Sequence, residues 1–181
     1  MLRRFALCLA LLTVSPAFAA PASYTASAGR LNFEYRVTFI GVRGSSDTLT
    51  AEAMFSPDDL QHASGSVVIP AAAIKTGNGV QEGHMRGALG TERFPDIVYT
   101  LTGVNSDTML REGQTLATTG SGSLTLKGKT RSLLVPLKLT LNGGEVNVAT
   151  QFKFNPHEYG VDYFGGADSI AIDVSFVLAP R

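Results

Sequence analysis

The side chains that most often do chemistry are few in this 181-residue chain and poorly placed for it. His62, His84 and His157 are the only imidazoles, and all three fall in or beside segments that read as loops. Metal ligation needs converging donors, and His157-Glu158 lacks the second histidine that a zinc-binding helix supplies one turn away. No metal site is predicted. Gly120-Ser121-Gly122 is not a nucleophile elbow and reads as a turn with a hairpin serine. Asp58-Asp59 reads as a solvated turn and helix start, not as a carboxylate pair for acid–base work. No glycine-rich run follows a strand and opens a helix, so nothing cradles a phosphate or dinucleotide. The sequence therefore supplies no catalytic constellation and implies no cofactor. One unusual cluster is left: Tyr159, Tyr163 and Phe164, framed by Gly160, Gly165 and Gly166. It reads either as a gate over a cavity or as a plug in the end of a barrel.

The elements that must position these residues are strands. Alternating apolar and polar side chains put every second residue on one face. Leu31, Phe33, Tyr35, Val37 and Phe39 alternate with Asn32, Glu34, Arg36 and Thr38. The pattern returns at Leu49–Phe55, Val67–Ile69, Ile97–Leu101, Leu133–Leu141, Val146–Phe154 and Ile170–Leu178. With Leu116–Leu126 counted as a further strand pair, about eight to ten strands are predicted. Turn chemistry falls between them, at Gly41–Asp47, Lys127-Gly128-Lys129 and Asn142-Gly143-Gly144. Pro136 interrupts a good strand pattern and predicts an edge or a bulge. Helix is scarce: one turn over Pro70–Lys75 and two over Gln81–Leu89, the latter weakened by glycine.

So little helix cannot cover a large sheet, and the sheet must cover itself as a sandwich or a closed barrel. Alternation alone does not choose. An eight-stranded barrel is just wide enough to be filled by side chains or to hold one small ligand. The inward set here is of middling bulk, with Ala51, Ala53 and Thr150 among it and no tryptophan in the chain. That leaves room for a slender apolar guest, while full packing by the same side chains stays open. Each buried methylene is worth about 0.8 kcal/mol, so a long chain could be held tightly.

The N-terminal residues have the layout of a secretory signal: Arg3 and Arg4, an apolar run over Phe5–Val14, then Ala17-Phe18-Ala19. The run is shorter than the roughly 20 apolar residues that span a bilayer. Cleavage after Ala19 is predicted, leaving one domain over residues 20–181. Cys8 lies within the signal, so the mature domain would carry no thiol and no disulfide. Fifteen basic and fifteen acidic side chains balance, and losing Arg3 and Arg4 leaves thirteen against fifteen, a net charge of about −2. No basic run is present, which argues against nucleic acid and against anionic membrane surfaces as partners. No later segment is apolar enough for stable membrane insertion. The sequence leaves room for a homodimer without specifying one.

Ile74-Lys75-Thr76-Gly77-Asn78, then His84-Met85-Arg86, then Phe94-Pro95-Asp96-Ile97-Val98-Tyr99 resembles the central signature of the YceI family. Gly122-Ser123-Leu124-Thr125-Leu126-Lys127-Gly128-Lys129-Thr130 is similar to that family's G-x-L-T-L-x-G-x-T hairpin. Phe55-Ser56-Pro57-Asp58-Asp59-Leu60 also fits its place, and the likeness runs in order along the mature chain. The resemblance implies an all-β, lipocalin-like antiparallel barrel of about eight strands, exported to the periplasm. Its elongated cavity would bind a polyisoprenoid or another long amphiphile. Two departures stand out. Gln81 and Glu82 replace the usual Arg-Asp before the histidine, and Pro156-His157-Glu158-Tyr159-Gly160 lacks its arginine. A missing arginine removes a two-pronged partner for an anionic head group. A neutral lipid or a quinone-type tail is therefore favoured over a phosphorylated isoprenoid, with a fatty-acyl lipid a further candidate.

The predicted lumen face is Leu31, Phe33, Tyr35, Val37, Phe39, Tyr99, Val135, Leu137, Val148, Phe152, Ile172, Val174 and Phe176. The resemblance sets His84 in a helical segment near the mouth, with Arg86 beside it. Tyr159, Tyr163 and Phe164 complete the candidates for a head group there. Two readings stand: a carrier or sequestering protein without turnover, and a β-domain with a filled core acting as an enzyme or an interaction module.

Overall fold

The computed structural model describes residues 20–181; the predicted leader, its cleavage point after Ala19 and Cys8 lie outside the described residues. Ten strands form: β1 Ala22–Ala26, β2 Gly29–Val37, β3 Ile40–Ser46, β4 Thr50–Ser56, β5 Asp59–Pro70, β6 Asp96–Val104, β7 Thr115–Leu126, β8 Lys129–Asn142, β9 Glu145–Phe154 and β10 Gly166–Pro180. One α-helix, α1, spans Gly79–Leu89. Short 3-10 turns cover Ala71–Ala73 and Pro156–Tyr159.

The strands pair in the order β1-β4-β5-β6-β7-β8-β9-β10, and β1 pairs back onto β10 through Tyr24–Pro180 and Thr25–Ala179. The result is a closed eight-stranded antiparallel barrel. β2 continues the path of β1 along β10, and β3 pairs with β2 as an extension of the wall. Closure pairs each of the eight barrel strands on both sides and leaves β3 as the edge strand of the extension.

Two of the predicted hairpins are tight. Lys127 and Gly128 have φ of 51° and 72°, and Gly143 and Gly144 have φ of 58° and 82°. Both residues of a two-residue loop in the left-handed region match the twist of the flanking strands. Pro136 sits in β8 where pairing with β9 has ended. That ladder runs only from Lys138–Ala149 to Asn142–Glu145, so the missing N–H leaves no gap in it.

Other local expectations are corrected. Gly41–Asp47 is not a turn: most of it is β3, and the chain reverses at Thr38-Phe39, where Thr38 has φ 54°. Gly44 lies in that strand because the Phe33 ring lies across it; a Cβ there would come within 2.6 Å of the Lys75 carbonyl and 2.9 Å of Phe33 Cζ. Leu116–Leu126 is one strand rather than two, and Gly120-Ser121-Gly122 lies inside it. Gly122 leaves space for Tyr99, whose hydroxyl would stand 2.7 Å from a Cβ at that position. Asp58-Asp59 joins β4 to β5 and starts no helix.

The two ends differ. At one, residues 105–114 fold across the barrel: Leu110 is 2% exposed and its N–H donates to the Pro57 carbonyl at 2.8 Å. Gly113 N–H donates to the Leu141 carbonyl at 2.8 Å. At the other end stand α1, residues 155–165 and the β2–β3 turn. α1 buries none of its side chains. It forms despite Gly79, Gly83 and Gly87 because its first turn is capped: the Asn78 side chain accepts from Val80 N–H at 3.0 Å and Gln81 N–H at 3.2 Å. Glu82 reaches back to accept from Thr76 N–H at 3.0 Å and Gly77 N–H at 3.3 Å. These bonds, Thr76 first, hold its carboxyl below the usual range.

Candidate functional site: an apolar cavity along the barrel axis

Inward side chains leave the barrel hollow, with a cavity of about 410 Å³. That volume lies in the range of small-molecule sites. On β10 its wall includes Ile170, Ile172, Val174, Phe176 and Leu178. Eight residue steps at about 3.3 Å span roughly 26 Å along the strand, and a strand tilt of about 40° leaves roughly 20 Å along the barrel axis. The cavity is thus a tunnel suited to an extended chain. Among the described residues none of those lining it is Lys or Arg, and Glu52 is the only acid.

All but one of the side chains that alternation assigns to the lumen stand in this wall. Leu31, Phe33, Tyr35, Val37, Tyr99, Val135, Leu137, Val148, Phe152, Ile172, Val174 and Phe176 all line it. Phe39 does not: it is 96% exposed in the β2–β3 turn, because the backbone reverses one residue before it. The wall also contains residues the sequence reading missed. Val42 was hidden by taking β3 for a turn. Gln81, Met85 and Ala88 recur at i, i+4 and i+7, a helical-face spacing that marks the side of α1 turned to the cavity.

The mouth candidates separate. His84 and Tyr163 line the cavity and meet across its opening, Tyr163 OH lying 3.2 Å from His84 Nδ1. The rings are tilted, with centroids 6.2 Å apart. This contact joins α1 to the 161–165 loop. Arg86 is not in the lining, since it falls outside the arc of α1 that His84, Ala88, Gln81, Met85 and Leu89 turn to the cavity.

Tyr159 is no mouth residue either. It is 2% exposed, and its ring meets Phe154 edge-on at 5.3 Å beside Leu124 and Leu126. Burial raises its phenol above the ordinary range. It fills the seam where β8 and β9 part above Lys138–Ala149, held by Lys127 Nζ donating to the Gly160 carbonyl at 2.7 Å. Phe164 is 99% exposed and also outside the lining. Neither gate nor plug describes the aromatic cluster, because its three members do three different things.

Polar groups in the wall are sparse. Tyr99 OH donates to the Leu133 carbonyl at 3.1 Å, and burial pushes its phenol up to about 12. The Tyr35 and Thr150 hydroxyls are buried with no hydrogen-bond partner among the described residues. Burial raises the Tyr35 phenol, with Asp168 and Asp162 adding to the effect. Outside the wall, His157 Nδ1 lies 2.8 Å from Asp162 and Nε2 lies 3.6 Å from Asp168. The Asp162 hydrogen bond chiefly raises the imidazole above its usual value. Among the described residues no group of three or more His, Cys, Asp or Glu is arranged to hold a metal.

A closed antiparallel barrel with one capped end and an oily axial tunnel defines a class of proteins built around an internal cavity. The chain belongs to the YceI-like domain family, whose model matches residues 23–178. Among solved structures it is similar to Burkholderia cenocepacia BcnA, with 16% identity, a TM-score of 0.71, and coverage of 82% of this chain and 95% of that one. A polyisoprenoid binding domain from Saccharophagus degradans, implicated in plant cell wall breakdown, shares 18% identity at a TM-score of 0.71, covering 88% and 99% of the two chains. The Campylobacter jejuni YCEI protein shares 16% identity at a TM-score of 0.63, covering 81% and 88%. At these identities the likeness establishes the fold. Among curated proteins none matches the chain at a significant level.

Proposed function

We propose that this protein is an exported, periplasmic carrier or sequestering protein that holds one long apolar or amphiphilic molecule in its barrel and does not turn it over. The observation that carries the reading is the tunnel, about 410 Å³ and walled almost wholly by hydrocarbon. Filling it removes apolar surface of both guest and host from water, at roughly 25 cal/mol per Å². The polyisoprenoid-binding function named for the Saccharophagus degradans domain, which shares this fold, supports a prenyl or acyl chain as guest.

The lining also bears on the head group. A buried phosphate needs paired cations or several N–H donors, and among the described residues the tunnel wall has no Lys or Arg. The polar pair at the mouth, His84 and Tyr163, suits a neutral oxygen-bearing head, with the tail running inward. A quinone-type or fatty-acyl lipid fits this arrangement better than a phosphorylated isoprenoid.

The test is lipid extraction and mass spectrometry of protein purified under native conditions, followed by titration with prenyl and acyl chains. A reproducible long-chain species at near one per protein is expected. An empty extract, with no uptake of either chain class, would overturn the proposal.

A further inference from the structure

A guest that shuns water must enter from somewhere, and the mouth carries a feature the tunnel does not explain. Phe39 and Phe164 are 96% and 99% exposed, each at the tip of a turn. They lie far apart in sequence, yet the turns are joined: Thr38 N–H donates to the Gly165 carbonyl at 2.6 Å. Beside each tip stands a residue of the tunnel wall, Ile40 next to Phe39 and Tyr163 next to Phe164. Ile40 is itself 64% exposed, so it is shared between the lumen wall and the rim. Full exposure of two phenylalanines is costly in water, and exposed apolar patches mark contact surfaces.

We propose that this rim is a docking surface for a lipid bilayer, into whose interfacial layer Phe39 and Phe164 insert so that the tunnel mouth opens onto the acyl region. The occupant follows from size and continuity. A stable protein partner or a second copy needs about 1,200 Å² of matched surface, far more than two turn tips provide. A fluid bilayer needs no matched shape, and aromatic side chains partition to its interfacial layer. The patch also ends where the tunnel begins, which is where a lipid guest would leave the bilayer. Neither turn, residues 38–39 nor residues 161–165, carries Lys or Arg, so docking rests on insertion and is little affected by salt. The inference depends on the carrier reading for its purpose but not for its physics.

The chain has no tryptophan, so Phe39→Trp and Phe164→Trp each place a single reporter at a tip. The probe is vesicles of zwitterionic phosphatidylcholine, with and without bromine on the acyl chains. The expected result is a blue-shifted emission on adding vesicles, quenched by the brominated lipid and unchanged at high salt. The double variant Phe39→Ala/Phe164→Ala should float with vesicles about tenfold less or weaker still, while binding a water-soluble acyl probe as before. Emission that stays that of water-exposed tryptophan in the presence of vesicles would overturn the proposal. So would a blue shift that depends on protein concentration and needs no vesicles, since the rim would then be a contact between copies. Insertion without acyl-probe binding would sink the carrier reading and leave this inference standing.

Discussion

The two ends of the barrel are built from the same alternating strands and end in opposite conditions. At the capped end Val146, Val148, Val174 and Leu178 are buried, and Leu110 closes the floor. At the open end Phe152, Phe154, Ile170 and Ile172, on the same two strands, are only half-buried. The difference lies in the connections. Residues 105–114 are tied to Pro57 and Leu141 by backbone hydrogen bonds, whereas α1 lies over its end with no buried side chain. One end of the tunnel is therefore sealed by a buried floor, and the other is a rim of half-buried apolar groups. The lesson is that strand pattern fixes which side chains face in, while the connections decide whether that interior is sealed.

The largest effect should come from charge in the sealed half. Val148→Asp or Val174→Asp buries an unpaired carboxylate, and loss of cooperative thermal unfolding is expected. Glu34→Ala or Arg36→Ala, on the outer face of β2, should stay within about 0.5 kcal/mol of the parent. Equal effects from both pairs would invert the assignment of faces.

Truncation sharpens the contrast. Leu110→Ala should cost about 2–5 kcal/mol in urea denaturation, because it opens a cavity in the floor. Phe152→Ala should cost clearly less, yet weaken acyl-chain uptake in titration, since its ring faces the tunnel.

A smaller effect is tied to pH and confined to the open end. His157 gains Asp162 and Asp168 on folding, and its folded pKa is raised. Its contribution is thus fully present below the unfolded value near 6.5 and is lost as pH rises through the higher folded value. Hydrogen exchange, corrected for intrinsic rates, should show residues 155–166 losing protection over that rise while Leu110 does not. His157→Gln should flatten the dependence.

The smallest change should be stabilising. A Cβ at Gly83 or Gly87 meets nothing within 4 Å. Each alanine should therefore firm α1 by about 0.5–1 kcal/mol. Stopped-flow release of an acyl probe should slow if α1 is the moving part of the mouth.

Much of this was readable from residue order. Alternation gave the wall from Leu31 to Val37 and from Ile170 to Leu178, because a buried face imposes a period of two. The Lys127-Gly128 and Gly143-Gly144 turns showed themselves through residues that tolerate positive φ. Phe39 misled because it continues the alternation past Thr38, and nothing local says that a threonine will take φ 54°. Gly44 and Gly122 misled in the other direction. They look like turn residues but make room for Phe33 and Tyr99 on the neighbouring strand, a long-range reason no local pattern carries. Tyr159 and Phe164 share a glycine-framed segment, and only the parting of β8 from β9 decides that one is buried and the other exposed.

Crystals grown with a fatty-acyl chain brominated at its far end would test the hollow-barrel account most directly. The account predicts anomalous signal deep in the tunnel, near Val146 and Leu178, with the head of the chain beside His84 and Tyr163. A lumen closed by those same side chains, with no bromine inside, would contradict it.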